Sequence, residues 1–334
     1  MINLTHKLGN CIRFEFSRWL WRQHKPAWFS PLRVFELIYR SLYALRHSVV
    51  QMFFLPQPYV KPVWVVGNIS VGGEGKTPFV MALVEFLQSK GLQPGIVSRG
   101  YGRCLKGLMV VKGTHTYHEV GDEPLMMSYL LNKKTPIAVS NDRSEAIQHL
   151  IDSQGCDVII SDDGLQNPNI YRDLEFVVMD SKRNIGNGCC LPIGPLRQPA
   201  SKLNEVDCLV LRDDPKGFSI RPTGVCPANN FSTTLPLSKF KGQTINLMAG
   251  IGNRSKLIQQ LHELGIEVKS HAVADHGLIA ADDIVDVTFM TMKDWVKVKH
   301  LNHSSNLYVI RSSCDISQDL YSTLEGFYHQ YLAS

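Results

Sequence analysis

The sequence has no run of about 18 uncharged apolar residues, the length that a membrane-spanning helix requires. Its eight cysteines form no C-x-x-C pair and no other paired metal-ligand spacing, so a structural zinc site is not expected. A secretory signal is also missing, and we therefore expect reduced thiols in a cytosolic setting. The absence of an N-K-x-D motif counts against a guanine-reading switch.

Acidic residues are scarce in the first 61 residues, which hold nine lysines and arginines but only Glu15 and Glu36. The same stretch carries 12 of the 30 aromatic residues, so basic and bulky apolar side chains are concentrated together. This combination favours contact with an anionic lipid surface. It argues against nucleic acid, because the basic residues stand among bulky aliphatic ones rather than in a polar stripe.

A helical periodicity between residues 31 and 55 predicts an amphipathic helix. Its apolar face would carry Leu32, Phe35, Tyr39, Leu42, Leu45 and Val49, and its polar face Arg33, Glu36, Arg40 and His47. We favour a helix that lies in a membrane interface. The alternative is that the apolar face packs on the protein's own domain, and periodicity alone does not separate the two.

An apolar strand at residues 63–67 runs into a glycine-rich turn that ends in Lys76 and Thr77. This order is typical of a phosphate-binding loop, in which backbone N–H groups surround phosphate oxygens, the lysine neutralises charge and the threonine hydroxyl faces Mg²⁺. The candidate nucleotide-binding residues are Ser70, Val71, Gly72, Gly73, Glu74, Gly75, Lys76 and Thr77. The usual pattern has glycine where Ser70 stands. A glycine-rich turn without a ligand is the alternative interpretation.

Acidic residues occur at three further candidate positions. Asp162 and Asp163 follow an apolar strand, where P-loop proteins hold Mg²⁺, although a solvated turn would have the same sequence. Asp122 begins a predicted helix, and its carboxylate could accept the proton of an attacking hydroxyl or serve only as a cap. Asp275 and His276 form a pair that is more often a simple hydrogen bond than a catalytic dyad.

Short apolar strands alternate with helices along most of the chain, which predicts an α/β fold with a mainly parallel sheet covered on both faces. The length of 334 residues favours two domains. We expect a basic and aromatic membrane-associating helical region at residues 1–60, a P-loop domain at 61–212, a connection or hinge at 213–237, and a smaller C-terminal α/β domain at 238–334.

Eight motifs together resemble those of one known family. They are GNISVGGEGKTP (67–78), SRGYG (98–102), VGDEP (120–124), DDGLQ (162–166), GNG with LPIGPLRQP (186–199), AGIGN (249–253), ADH (274–276) and MT-x-KD-x-VK (290–297). Their order is that of tetraacyldisaccharide 4'-kinases, the lipid A 4'-kinases. The resemblance implies ATP-dependent phosphorylation of the 4'-hydroxyl of an acylated glucosamine disaccharide 1-phosphate, which gives the bisphosphorylated lipid A precursor.

The resemblance also implies a role for each candidate residue. ATP phosphates would be held by residues 70–77, Mg²⁺ by Thr77 and Asp162 with Asp163 nearby, and the catalytic set would be Asp122 as base, His276 as its support and Lys76. It implies a P-loop NTPase-like α/β/α sandwich, a second smaller α/β/α domain and an N-terminal membrane-docking helix. We expect a peripheral monomer at the cytoplasmic face of the bacterial inner membrane.

Two other classes remain alternatives at this stage: a membrane-recruited P-loop ATPase or GTPase switch without a lipid acceptor, and a nucleic-acid-stimulated NTPase. The chain also departs from the family pattern at four positions. These are Asn167, Gln198, Arg254 and Met292, where the family usually has His, Glu, Pro and Glu. None of these positions coincides with a candidate catalytic or metal-binding residue.

Overall fold

The computed structural model of the chain describes residues 32–53, 56–132, 134–271, 286–300 and 306–332. Within these residues, twelve strands form one mixed sheet in the order β10-β9-β11-β12-β8-β7-β6-β1-β5-β2-β4-β3. The strands are β1 (Val63–Gly67), β2 (Pro94–Ser98), β3 (Met109–Val110), β4 (Ile137–Val139), β5 (Val158–Asp162), β6 (Leu174–Asp180), β7 (Cys208–Arg212), β8 (Phe218–Pro227), β9 (Thr244–Met248), β10 (Glu267–His271), β11 (Thr288–Met290) and β12 (Leu307–Ile316).

Eight α-helices accompany this sheet within the described ranges. They are α1 (Leu32–Phe53), α2 (Lys76–Ser89), α3 (Tyr117–Val120), α4 (Asp122–Leu130), α5 (Arg143–Asp152), α6 (Arg254–Glu263), α7 (Met292–Val298) and α8 (Gln318–Tyr331). Two short 3₁₀ turns lie at Ala200–Asn204 and Leu237–Phe240. The predicted α/β fold is therefore confirmed.

Strand β1 lies in the parallel part of the sheet, between β5 and β6. Successive side chains of a strand point to opposite faces, and both faces of β1 are apolar. Trp64 and Val66 belong to the core cluster that includes Phe79 of α2, whereas Val63 and Val65 pack in another cluster with α5. Helices thus cover both faces of this part, as parallel strands require.

Two strand pairs are antiparallel, β3 with β4 and β8 with β12, so the sheet is mixed. Strand β8 lies inside the segment 213–237, which was predicted as a connection and is rich in Pro, Gly, Ser and Thr. Ladder pairing with β12 outweighs that local preference, because Phe218 and Val225 become fully buried on the paired strand. The main core cluster also continues from Trp64 to Trp295 and Leu324. The domain boundaries themselves stay a prediction.

Helix α1 is attached to the protein by polar side chains. Glu36 is buried and accepts a hydrogen bond from Cys190 N, the Tyr39 hydroxyl donates to Arg197 O, and the Tyr43 hydroxyl accepts from Gln198 Nε2. Glu36 belongs to the predicted polar face and Tyr39 to the predicted apolar face, so residues of both faces contact the protein. Periodicity defines the faces of a helix but not which of them meets the protein.

The apolar side chains of α1 are exposed instead of packed on the protein. Large hydrophobic residues with more than two fifths of their surface exposed are Val34, Phe35, Leu37, Ile38, Leu42, Leu45, Val49, Met52 and Phe53. Within the ranges that the structure describes, no helix combines the length and hydropathy needed to cross a membrane.

Candidate active site

The carboxyl ends of adjacent parallel strands bring the predicted site residues together. Val66 near the end of β1 pairs with Asp162 at the end of β5, and Gly67 pairs with Val177 of β6. The phosphate-binding loop that follows β1 therefore lies beside the Asp162–Asp163 pair. This edge is where open α/β sheets bind their ligands.

The phosphate-binding loop reaches α2 through glycines in the left-handed region. Gly72 has φ 124° and Gly75 has φ 96°, which side chains with a Cβ rarely adopt. Lys76 and Thr77 are the first two residues of α2, so the unpaired N–H groups of this helix end face the turn. Lys76 Nζ lies 3.2 Å from Asn68 Oδ1 and 3.3 Å from Asp163 Oδ1.

The serine that replaces the first glycine of the usual pattern has a structural partner. Ser70 Oγ donates to Glu74 Oε1 at 2.7 Å, and Glu74 Oε2 accepts from Asp180 N at 2.9 Å. Arg183 Nη2 is 2.5 Å from Glu74 Oε1. Glu74 is buried, so this carboxylate holds the loop from within the protein. Ser70 and Glu74 thus shape the turn through their side chains.

Arg212 and Asp180 support the same loop and were not singled out from the sequence. Arg212 Nη1 donates to Gly73 O at 3.0 Å, and Arg212 Nη2 is paired with Asp180 Oδ2. Burial would raise the pKa of Asp180, but the N–H of Arg183 and the Arg212 guanidinium outweigh it and hold that pKa below its ordinary value. Asp180 ends β6, which pairs with β1, and Arg212 ends β7, which pairs with β6; these positions at the carboxyl ends of strands were the only signal in the sequence.

Asp162 and Asp163 have opposite electrostatic environments. Burial raises the pKa of Asp162 to about 7, and the carboxylates of Glu123 and Asp163 act in the same direction. Burial acts on Asp163 as well, but Lys76 and the arginines beside it outweigh burial and lower its pKa. Asp162 Oδ1 is buried and has no hydrogen-bond partner among the described residues. A cation at this oxygen would offset the cost of ionising Asp162.

Magnesium fits the oxygen donors present at this position. Thr77, Asp162 and Asp163 line the same cavity, and Mg²⁺ prefers one or two carboxylates completed by a hydroxyl, phosphates and waters. In the described part of the chain no cluster of three or more His, Cys, Asp or Glu residues forms a metal site. Protein side chains alone therefore do not form a complete coordination shell at this site.

Arg143 is a further functional candidate that the sequence reading did not identify. Arg143 is the first residue of α5. Its side chain is buried, and Nη1 donates a hydrogen bond to Asp163 O at 2.9 Å. Burial lowers the pKa of its guanidinium, and the carboxylates of Asp162 and Asp163 oppose that effect. The group places positive charge directly behind the acidic pair. A lone arginine after Asp142 gave no distinctive signal in the sequence.

Asp122 is the first residue of α4 and is almost fully buried. Its Oδ1 accepts a hydrogen bond from Glu123 N at 2.9 Å, and its Oδ2 lies 3.7 Å from Lys297 Nζ. The carboxylate lines the same cavity as the phosphate-binding loop, so the structure brings these two predicted parts together. His276, the predicted support of Asp122, lies outside the described residues.

A large cavity of ≈ 1550 Å³ contains the site. One part of its lining comes from the phosphate-binding loop and α4, and another from Gly252, Lys256 and Lys293 of the C-terminal region. Arg99, Tyr101 and Arg197 also line the cavity and are candidates for contacts with a sugar. Asn184, another polar residue of a motif-rich region, is exposed and is not part of the lining.

Comparisons with known proteins agree with this geometry. Residues 28–328 match the family described as Tetraacyldisaccharide-1-P 4'-kinase. A Tetraacyldisaccharide 4'-kinase from Methylobacillus flagellatus is 38% identical over 304 residues, covering 85% of this chain and 88% of the relative. Another Tetraacyldisaccharide 4'-kinase, from Legionella pneumophila (strain Lens), is 36% identical over 329 residues, which cover 94% of this chain and 99% of the relative.

A solved structure also supports membership of this family. LpxK from Aquifex aeolicus, crystallised in complex with ATP, matches with a TM-score of 0.74 and 27% identity, and the match covers 90% of this chain and 99% of that chain. The family match, the relatives and this fold all span nearly the whole chain, whereas nothing in them supports a switch protein without an acceptor. The resemblance inferred from the motifs is confirmed, and the chain belongs to the tetraacyldisaccharide-1-P 4'-kinase family.

Proposed function

We propose that this protein transfers the γ-phosphate of ATP to the 4'-hydroxyl of an acylated glucosamine disaccharide 1-phosphate, giving the bisphosphorylated lipid A precursor. The observation that carries the proposal is the shared cavity, in which a buried carboxylate and a phosphate-binding loop face the same space. A kinase needs this arrangement, because one group must activate the acceptor hydroxyl while others hold the phosphate donor. A switch without an acceptor has no use for Asp122 at that position.

The phosphate-binding loop would hold the ATP phosphates. Backbone N–H groups of residues 72–77 supply hydrogen bonds, and the Lys76 ammonium and the α2 N-terminus supply positive charge. We assign Mg²⁺ to the oxygens of Thr77 and Asp162, with Asp163 nearby. The ion would neutralise phosphate charge at that point. Asp163 is already paired with Lys76 at 3.3 Å, and although burial acts in the opposite direction, Lys76 and the two neighbouring arginines lower the pKa of Asp163.

Asp122 is the proposed catalytic base, which would accept the proton of the acceptor's 4'-hydroxyl as the phosphoryl group is transferred. Its burial keeps water away from the reacting oxygen. His276 is proposed to support this carboxylate from the C-terminal region. If so, the site is complete only when a P-loop domain at 61–212 and a smaller domain at 238–334 approach each other across the cavity.

Helix α1 is the proposed contact with the cytoplasmic face of the bacterial inner membrane, where a monomer would meet its lipid acceptor. Its exposed apolar residues and basic neighbours are the composition of an interfacial helix. Glu36, Tyr39 and Tyr43 fix the helix to the protein, and the large aliphatic side chains that include Leu42 and Leu45 stay exposed. Flotation with anionic vesicles measures this directly. Equal binding of wild type and Leu42→Ser/Leu45→Ser would contradict it.

The central experiment supplies radiolabelled ATP and a purified disaccharide 1-phosphate lipid in detergent with Mg²⁺. Wild type should transfer label to the lipid, whereas Lys76→Ala should lose about 10³-fold or more of the rate, because charge neutralisation at the phosphates is lost. Lys61→Ala is the matched control, since Lys61 forms only an exposed pair with Asp157 at 3.4 Å. If wild type hydrolysed ATP but transferred no label to the lipid, the kinase assignment would be refuted.

A further inference from the structure

Lys297 of α7 is buried between two carboxylates. Its Nζ lies 3.4 Å from Asp294 Oδ1 and 3.7 Å from Asp122 Oδ2, and only 3% of its side chain is exposed. Lysine is rarely buried, because its ammonium loses its hydration and needs charged partners in exchange. One of those partners is the proposed catalytic base. The lysine therefore serves a carboxylate that takes part in the proposed reaction.

The other partner, Asp294, is fixed on three sides. Its Oδ2 accepts hydrogen bonds from Gly250 N at 2.8 Å and from Thr291 Oγ1 at 2.6 Å, and its Oδ1 faces Lys297. The side chain is fully buried. Because Asp294 is anchored by a backbone N–H and a helix-capping hydroxyl, it fixes the position of the ammonium in turn. Lys297 is thus held from the C-terminal region and presented to Asp122.

This contact joins two parts of the chain that both line the cavity. Asp122 lies on α4 beside the phosphate-binding loop, and Lys297 lies on α7, about half the chain length away in sequence. Gly250, which anchors Asp294, belongs to the loop whose Gly252 is in close backbone contact with Gly73. The Asp294–Lys297 pair is therefore linked to the nucleotide side as well as to the proposed base.

The neighbouring lysines do not share this arrangement. Lys293 Nζ lies 3.0 Å from Glu123 Oε1, next to the proposed base but on a carboxylate that is more than a third exposed. Lys299 Nζ donates to Gly113 O and His115 O and lies over the Tyr129 ring. Among the described lysines of this helix region, Lys297 is the one paired with Asp122.

We infer that Lys297 is a positioning residue of the proposed reaction: its ammonium holds the Asp122 carboxylate in the orientation required to receive the proton of the acceptor hydroxyl. The inference rests on the proposed function. It predicts an effect on turnover rather than on binding, because Lys297 acts on the reacting carboxylate and not on either substrate. A displacement of about 1 Å at such a group lowers the rate by about 100-fold.

The test compares Lys297→Met with Lys299→Met in the lipid phosphorylation assay. Lys297→Met should lower kcat by about 100-fold and change the KM of ATP and of the lipid by less than about 2-fold, whereas Lys299→Met should keep wild-type kcat. Lys297→Arg retains the charge, so its kcat should be about 10-fold higher than that of Lys297→Met. In an Asp122→Asn background, Lys297→Met should lower kcat no further, because the group that it orients is absent.

Folding is controlled by a second variant, because Lys297→Met alone leaves buried carboxylates without their cation. Asp294→Asn/Lys297→Met removes the anchor charge together with the ammonium, and it should fold and still lose about 100-fold in kcat. Equal kcat for Lys297→Met and Lys299→Met, or an undiminished effect of Lys297→Met in the Asp122→Asn background, would overturn the inference. Failure of the proposed function is a separate result, since wild type itself would then leave the lipid unlabelled.

Discussion

Asp122 and Asp162 are both buried carboxylates that line one cavity, but they are stabilised in different ways. Asp122 has an internal cation, Lys297, which the chain delivers from α7. Asp162 has a buried oxygen without a hydrogen-bond partner in the described part of the chain, and burial raises its pKa to about 7. The cation beside Asp122 is supplied by the protein itself, so this carboxylate can stay charged and ready to accept a proton. The position of Asp162 is suited to a cation that arrives with the nucleotide.

The largest expected effect is on the Asp122 side of this comparison. Asp122→Asn should lower kcat by about 10³-fold, because the amide cannot accept the proton of the acceptor hydroxyl. The dissociation constant of ATP should change by less than about 2-fold, since Asp122 lies on α4 and not in the phosphate-binding loop. Single-turnover transfer and an ATP titration measure the two quantities.

Glu123→Gln provides the matched control for this prediction. Glu123 is the adjacent residue, but its side chain is 38% exposed and pairs with Lys293 rather than with Lys297. We expect a loss in kcat of less than about 10-fold for this variant. Equal losses for the two variants would mean that the position on α4 matters only through its overall charge.

A smaller effect is expected on the nucleotide side, where Arg212 ties the phosphate-binding loop to strand β6. Arg212→Met removes the hydrogen bond to Gly73 O and leaves Asp180 buried without its guanidinium partner. The KM of ATP should rise by about 30-fold with a smaller change in kcat, and the free energy of unfolding should fall by about 3 kcal/mol. Steady-state kinetics and urea denaturation provide the measurements.

Arg221→Met separates this local role from a general loss of positive charge. Arg221 pairs with Asp315 at 3.8 Å, and both side chains are more than half exposed, so its removal should change the free energy of unfolding by less than about 1 kcal/mol. An unaltered KM of ATP in Arg212→Met would show that the loop keeps its shape without the Asp180–Arg212 pair.

The two sides of the cavity also differ in how much of them the sequence predicts. The nucleotide side follows from contiguous motifs, since a strand, a glycine turn and Lys76–Thr77 stand in one segment and parallel pairing brings Asp162 beside them. The contact of Lys297 with Asp122 depends on the packing of α7 against α4, which no local pattern encodes. Arg212 is likewise hidden, because a charged residue at a strand end has many possible partners.

Tertiary contacts also explain the differences in the fold. Strand β8 formed where turn-rich composition suggested a connection, because β12 supplies its ladder partner. Helix α1 was predicted from periodicity, but its partners in the protein were not: Glu36 accepts a hydrogen bond from Cys190 N, and the Tyr39 hydroxyl donates to Arg197 O. Which face of a helix is buried depends on residues that are distant in sequence.

The last prediction concerns stability rather than turnover, and it tests whether Asp162 depends on an external cation. A raised pKa in the folded state, about 7 against an ordinary 3.8, means that between these values the folded protein binds more protons than the unfolded chain. The free energy of unfolding in chelator should therefore fall as pH rises through that window, by at most about 1.4 kcal/mol per pH unit. Asp162→Asn should remove this slope.

Asp163→Asn is the opposite case on the adjacent residue. Its pKa is lowered in the folded state, so the stabilisation that it provides is present above its ordinary value and is lost only as pH falls through the lower one. This variant should thus be less stable, and its stability should still fall as pH rises, but the fall should end at a lower pH because Asp163 is one of the charges that raise the pKa of Asp162. Saturating Mg²⁺ should flatten the slope of wild type, because the cation replaces the proton on Asp162. A slope that persists in Asp162→Asn would assign the titration to another group, and the contrast between the two carboxylates would then rest on Lys297 alone.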